Sequence, residues 1–500
     1  MPSQARWIAK GARRLTGPMC LVTILCLPAA SARGQTTLQP EGWKSALALP
    51  EAPDRNPDPR IVEIDLDARV AEVEIAPGRR VKSWTYNGGL PGPLVRVRVG
   101  DRLIAHFSNH LPQPTTVHWH GVRVPIEMDG VPDLSQPEVQ PGSSFTYDFV
   151  VRDAGLYWYH PHVMSAAQVG FGLYGPLLVE DPDDGVGVAD ELVLVLSDIA
   201  LDERGNLEAP DSGGPAGMVF GREGSHVLVN GRRGGSLTAR DGAPQRWRVV
   251  NAAKSRYFNL DLEGLVFTKI GGDGGLQEYP EQSRNLVLAV GERADLIVTP
   301  RPAPTRQLVL RSLLYNRGYG SVEYRDIEDL LTVRIADALP YSGPPPPKVA
   351  RSIAPLTRAG ATEVNLKFTL AQTREGFEYG INGVPFAKAK PVRAAVGETQ
   401  IWEVTNTTKW SHPLHLHGFF FQVLDDKGAP VRPIVWKDTV NIPFEKTVRL
   451  LVHFDERPGN WMYHCHILDH AEGGLMGTVA LDAEGRSHLP HTPTSAGERR

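Results

Sequence analysis

Residues 86–109 read YNGGLPGPLVRVRVGDRLIAHFSN, and the same frame returns twice, as VNGRRGGSLTARDGAPQRWRVVN at 229–251 and INGVPFAKAKPVRAAVGETQIWEVTN at 381–406. Each copy opens near an Asn-Gly pair (Asn87, Asn230, Asn382), a dipeptide favoured in tight turns. Each carries a glycine nine residues before its closing asparagine: Gly100 before Asn109, Gly242 before Asn251, Gly397 before Asn406. The residues between alternate as a strand should. A threefold repeat, 50 glycines, 42 prolines and no long amphipathic helical pattern predict an all-β chain of three similar domains, built as sandwiches or barrels.

The residues beyond each closing asparagine separate the copies. Nine and eleven residues after Asn109 come His118 and His120, in HWHG; the same offsets after Asn406 give His415 and His417, in HLHG. After Asn251 they give Leu260 and Leu262. A second match joins the outer copies: Gly155 stands five residues before His160 in GLYWYHPH, and Gly459 five before His464 in GNWMYHCH. The outer repeats thus hold two His-x-His pairs each, His118/His120 and His160/His162, then His415/His417 and His464/His466. Side chains alternate along a strand, so each pair presents both imidazoles to one face, a natural metal chelate. Four pairs imply more than one metal.

In HCH, Cys465 points opposite to His464 and His466, toward a second site on the other face of the strand. His470, five residues on, and His412, just before the His415/His417 pair, complete a His₂Cys set. With a weak or absent axial ligand this is the blue-copper electron-transfer arrangement. Zinc accepts the same donors but gains nothing from an adjoining histidine cluster, because it has no redox chemistry. The first repeat has Thr115, Pro161 and Ala166 at the equivalent positions and cannot build such a site.

The ends and connectors set the remaining organisation. Residues 1–32 read as a secretory signal peptide: basic residues up to Arg13 and Arg14, a short apolar run from Met19 to Leu27, then Ala30-Ser31-Ala32. The paired arginines fit twin-arginine as well as general export. Cleavage would remove Cys20 and Cys26, leaving Cys465 without a disulfide partner. It would leave a net charge of −8, which argues against nucleic acid and anionic membrane surfaces as partners. The expected domains run over 55–182, 190–340 and 349–483, separated by an acidic connector and by the proline stretch Pro340–Lys348, with a tail at 484–500. No later segment is apolar enough to span a membrane. The expected location is periplasmic or extracellular.

HWHG, YHPH, HPLHLHG and HCHILDHAEGGLM, in this order and spacing, resemble the four copper motifs of the multicopper oxidases, from about residue 60 to 482. The resemblance implies three cupredoxin domains, each a Greek-key β-sandwich, and four coppers. Type 1 copper would be held by His412, Cys465 and His470, and type 2 by His118 and His415. The type 3 pair would be held by His120, His160, His162, His417, His464 and His466. It implies one-electron oxidation of a small donor, transfer from Cys465 to His464 and His466, and reduction of O2 to water, with the middle domain as a spacer. In the family an acid shortly after HWHG serves the cluster; Asp129 matches it. A second acid comes directly after the last type 1 histidine, but that position is Ala471 here, so its role passes to Glu472 or is absent. The axial position is Leu475, or Met476 if the register shifts by one.

The family's cuprous oxidases carry a methionine-rich segment over the type 1 site and an acid four residues before its first histidine. This chain has no methionine cluster and has Thr408 at that place, so phenols and aromatic amines are the expected substrates of a monomer. Tyr315, Tyr319 and Tyr324 form a candidate aromatic access loop. The alternatives are a cuprous or other metal-ion oxidase, with Cu(I) as donor, and a non-enzymatic copper-binding or structural cupredoxin protein.

Overall fold

The three Asn-Gly turns form alike in the computed structural model. Asn87, Asn230 and Asn382 take left-handed φ of 53°, 49° and 55°, which asparagine tolerates better than most residues. Each side chain then ties the turn to a neighbouring strand. The Oδ1 atoms accept from the N–H of Asp67, Val195 and Lys367, and the Nδ2 groups donate to the carbonyls of Asp65, Val193 and Asn365. The described residues are 47–483 except 189, 211, 213, 302–305, 319–326, 337–340, 344–350 and 375. The signal peptide, Cys20, Cys26, Tyr319, Tyr324, the tail and most of the proline stretch lie outside them.

The closing asparagines are also equivalent. Asn109, Asn251 and Asn406 are buried, and each donates from Nδ2 to two loop carbonyls: Gln113 and Val139, Arg256 and Leu288, Trp410 and Ile442. A buried amide satisfied by main chain fixes the loop beyond it, and in the outer repeats that loop leads to the first His-x-His pair.

Each asparagine ends a strand that runs parallel to the first long strand of its repeat: Arg102–Asn109 beside Ile61–Ala76, Gln245–Asn251 beside Asp190–Ile199, and Thr399–Asn406 beside Thr362–Thr373. Each such sheet faces a second one. The three pairs have four and four, six and five, and five and five strands. The chain is all-β, with three cupredoxin-like sandwiches. Between the sheets lie three apolar cores, one around Trp119 and Tyr159, one around Trp247 and Phe258, and one around Trp402 and Trp461. Trp247 and Trp402, both four residues before a closing asparagine, donate to Gln245 and Gln400, so neither buries an unpaired indole N–H.

In the first repeat, strand His118–His120 pairs antiparallel with Gly155–His160, placing His118 opposite His160. In the third, His412–Leu416 pairs with Gly459–Cys465, placing His415 opposite His464. All described residues belong to one compact unit, and the histidine-bearing ends of these sheets meet. No helix among the described residues is long and apolar enough to cross a membrane.

Candidate metal centre

All ten motif histidines and Cys465 come together in two groups. The first is mononuclear in layout. Cys465 Sγ lies 3.4 Å from His412 Nδ1 and 3.6 Å from His470 Nδ1, and the two nitrogens are 3.0 Å apart. Strand alternation delivers Cys465 from Gly459–Cys465, and the short helix Leu468–Glu472 returns His470 to it. On its far side His412 Nε2 meets Thr408 Oγ1 at 2.8 Å, and that hydroxyl also reaches Asn406 Oδ1. The closing asparagine of the third repeat therefore braces a donor of the site. Leu475 is fully buried in the same apolar cluster as Cys465, whereas half-buried Met476 sits opposite His464 in the next strand.

The second group holds eight histidines from the outer domains, all buried except half-buried His162. It has an approximate twofold arrangement. His118 stacks on His417 with centroids 3.9 Å apart, and His415 stacks on His120 at 3.7 Å. His118 Nδ1 donates to the carbonyl of Asp129 (2.8 Å), and His415 Nδ1 to that of Asp438 (3.0 Å). The carboxylates cross over: Asp129 Oδ2 takes His417 Nδ1 at 2.9 Å, and Asp438 Oδ1 lies 3.2 Å from His120 Nε2. His160 and His464 direct Nδ1 to the carbonyls of Pro161 and Cys465.

A carbonyl only accepts, so these contacts protonate Nδ1 and leave Nε2 as a bare lone pair. The Nε2 atoms of His118, His160 and His415 are buried and have no hydrogen-bond partner. His464 Nε2 lies 3.2 Å from His417 Nε2 and 3.4 Å from His162 Nε2, and His466 Nε2 lies 3.2 Å from His120 Nδ1. Converging bare donors in a buried space are costly unless a cation occupies it.

Ionisation agrees. Burial, then mutual repulsion, holds His160, His162, His464 and His466 well below the ordinary imidazole range. Burial takes His412 and His417 down to about 3. These six histidines are thus neutral at pH 7. Burial pushes the Cys465 thiol far up, so only a bound cation would hold it as the thiolate that ligates metal. The donor set fits thiophilic, redox-active copper.

Several groups here carry no signal in the repeats. Asp438 forms a buried two-point pair with Arg293, from the second domain's strand Arg293–Val298. Arg293 also faces Asp273. A side chain at Gly121, the last residue of HWHG, would put Cβ 2.5 Å from Arg293 and 2.6 Å from Asp438. At Gly291, Cβ would meet His120 at 3.1 Å and His466 at 3.2 Å. The second domain is therefore a wall of the cluster and supplies a buried charge, more than the expected spacer.

Glu472 lies elsewhere. Its carboxylate accepts the N–H of Ala166 at 2.8 Å, at the start of helix Ser165–Gly170, and burial raises its pKa. Asp469 binds Lys254, Ser255 and the Arg222 N–H of the second domain. A cavity of about 360 Å³ opens between helix Leu468–Glu472 and helix Gly214–Phe220, lined by Met218, Asp469, Glu472 and Gly473 among others. Of the candidate access tyrosines, Tyr315 stacks on Tyr257 with centroids 5.6 Å apart.

Three multicopper oxidase domain families match the chain in series, over 68–184, 190–318 and 358–484. The multicopper oxidase MmcO of Mycobacterium tuberculosis is 30% identical over 89% of this chain and 92% of its own length. A laccase of Bacillus subtilis is 27% identical over 79% and 89%. The structure of a Campylobacter jejuni multicopper oxidase described as a metallo-oxidase superposes with a TM-score of 0.77 at 27% identity, covering 89% of this chain and 99% of that one. The chain belongs to the multicopper oxidases, copper-dependent oxidoreductases that use O2 as acceptor.

Proposed function

We propose that this chain is an exported laccase-like oxidase that binds four coppers and couples one-electron oxidation of phenols or aromatic amines to reduction of O2 to water. The observation that carries the reading is the strand end at which Cys465 faces one donor group while its chain neighbours His464 and His466 face the other. Type 1 copper would be held by His412, Cys465 and His470, and type 2 by His118 and His415. The type 3 pair would be held by His162, His417 and His464 on one side and His120, His160 and His466 on the other. When bound, copper supplies one-electron uptake from the donor and four-electron delivery to O2.

The protein's own residues do the rest. Cys465 is one peptide from each of His464 and His466, so the two sites are joined by a short covalent path. The carbonyls of Asp129, Asp438, Pro161 and Cys465 fix imidazole tautomers and aim Nε2 inward. Burial excludes water from the neutral histidines. Among the described residues Asp129 has no arginine partner like that of Asp438. Its carboxylate, between His417 and His118, is the group suited to relay protons. Fully buried Leu475 would fill the axial position without donating.

The cavity bordered by Asp469–Gly473 lies beside His470 in the chain and has room for a small aromatic donor. One feature favours a second reading. Met218 and Glu472 share that cavity, a thioether and a carboxylate that could receive Cu(I). The test is one copper-loaded preparation, assayed for metal content and for turnover of a phenol against Cu(I). Four coppers, a blue band and faster phenol turnover are expected. One copper or zinc per chain would sink the assignment. Cu(I) preference lost in Met218→Leu would select the second reading.

A further inference from the structure

The histidine cluster is assembled from two domains, and an arginine outside it ties the pieces together. Arg457 stands two residues before strand Gly459–Cys465, which carries His464 and Cys465, and its side chain is 8% exposed. Its guanidinium donates to the carbonyl of Gly418, the last residue of HLHG. It also donates, at 3.1 Å, to the carbonyl of Val124, four residues after His120 of HWHG. Nε and Nη2 hold Asp455 at 2.8 and 2.7 Å. One planar group therefore links the chain entering one His-x-His segment to the exits of two others, across both domains. It is itself held in place. The Arg457 carbonyl accepts the Trp461 indole N–H at 3.0 Å, and the guanidinium lies 4.7 Å from the Phe419 ring centroid and 5.3 Å from that of Trp461. A Cβ at Gly418 would overlap the Trp461 ring, so HLHG ends hard against the same indole.

Val124 leads, through the turn Ile126–Met128, to Asp129, whose carbonyl orients His118 and whose carboxylate binds His417. The two carbonyls that Arg457 grips thus lie at the roots of both leading pairs and of the Asp129 loop. A binding constellation must be held within about 0.5 Å of its productive geometry, and neither domain's sheets alone fix the separation between domains. Arginine suits that task because its donors form a rigid fork, whereas lysine offers a single point charge on a flexible stem. The type 1 group stands apart: His412, Cys465 and His470 all come from the third domain, so its geometry does not depend on that separation.

We infer that Arg457 is a positioning residue of the trinuclear cluster: by joining the Gly418 and Val124 carbonyls it sets the spacing of the two domains' histidines, and with it copper occupancy there, while leaving the type 1 site alone. This rests on the assignment of the eight clustered histidines to type 2 and type 3 copper.

The test compares copper-loaded parent, Arg457→Met, Arg457→Lys and Arg123→Met after dialysis against a weak chelator. Copper per chain, the blue absorbance and the paramagnetic resonance signal of type 2 copper are measured. Arg123 is the control in the same ion network, because it donates to Asp153 and Asp455. Arg457→Met should keep the blue band and lose cluster copper, with an affinity about 10- to 100-fold lower, the scale of a lost supporting contact. Arg457→Lys keeps the charge beside Asp455, so it should recover thermal stability without recovering the cluster. Arg123→Met should retain all four coppers. An Arg457→Met protein with the full cluster overturns the inference, as does one that loses the blue band in proportion. Equal copper loss in Arg123→Met overturns it too. If Arg457→Met does not fold, Arg457→Lys decides: a cluster signal equal to the parent's shows that charge suffices and refutes the positioning role. A parent that binds one copper refutes the cluster assignment itself, a result distinct from a four-copper parent with unmoved variants.

Discussion

Asp129 and Asp438 act on the histidine cluster from opposite sides in the same way. Each gives its carbonyl to the first histidine of its own domain's leading pair, His118 or His415, and its carboxylate to the second histidine of the other domain's pair, His417 or His120. They differ in what neutralises them. Asp438 is bound by Arg293, whereas among the described residues Asp129 pairs with imidazoles alone. One fold operation, repeated in two domains, leaves one acid paired with an arginine and the other facing imidazoles.

Asp129→Asn should therefore keep the blue colour, since Asp129 lies outside the His412–Cys465–His470 group, yet slow oxygen reduction on the order of 10²-fold, the scale of a lost proton relay. Steady-state oxygen uptake across pH, alongside the visible spectrum, checks this. Unchanged turnover at every pH would return Asp129 to a purely structural role.

Arg293→Met should destabilise the copper-free protein by about 3–5 kcal/mol, because it strands a buried carboxylate. Arg293→Lys should recover part of the loss, since an ammonium cannot reproduce the two-point pair. Denaturant titration reads both. A loss below about 1 kcal/mol in the Met variant means Asp438 does not need this partner.

Leu475→Met should lower the type 1 potential by supplying an axial thioether and should cost less than about 1.5 kcal/mol, as a volume-conserving exchange. Met476→Leu should leave the potential alone. Redox titration of the two variants giving the reverse pattern would make Met476 the axial residue.

The copper-free protein should lose stability on acidification. Burial, their first cause, depresses nine of the ten cluster histidines. The unfolded chain binds protons near pH 6.5 that the folded one refuses, so this stability is present above that value and drains away as pH falls toward the folded values, about 3 for His412 and His417. Each such histidine adds about 1.4 kcal/mol per pH unit to the slope. Melting at pH 7 and pH 5, with and without copper, checks the sign. An apo protein equally stable at both contradicts the burial of these imidazoles, and copper, which also requires its ligands deprotonated, should preserve the sign.

The frame and the donors were legible because they are local. Asn109 and His118 are nine residues apart, and alternation alone puts Cys465 opposite His464. The supporting groups were not. Asp438 reaches His120 across 318 positions, and Arg293 reaches Asp438 across 145. Gly291 comes from the domain whose histidine positions hold leucines, so nothing in its motifs pointed to the metal groups. Leu475 and Met476 differ in burial, which a one-residue offset leaves open in sequence. Glu472 illustrates the converse: its position in the motif suggested the cluster, and its carboxylate binds the Ala166 N–H.

The four carbonyls that orient His118, His160, His415 and His464 belong to the main chain. No side-chain substitution deletes them, so an alanine scan would pass over half of what aims the imidazoles. What they are sensitive to is displacement. A one-residue insertion between the HWHG strand and Asp129, or between the HLHG strand and Asp438, would move a carbonyl out of reach while leaving every donor in place. The site is therefore permissive to drift in residue identity and strict about loop length, and a library that varies lengths will find its fragile points where one that varies letters will not.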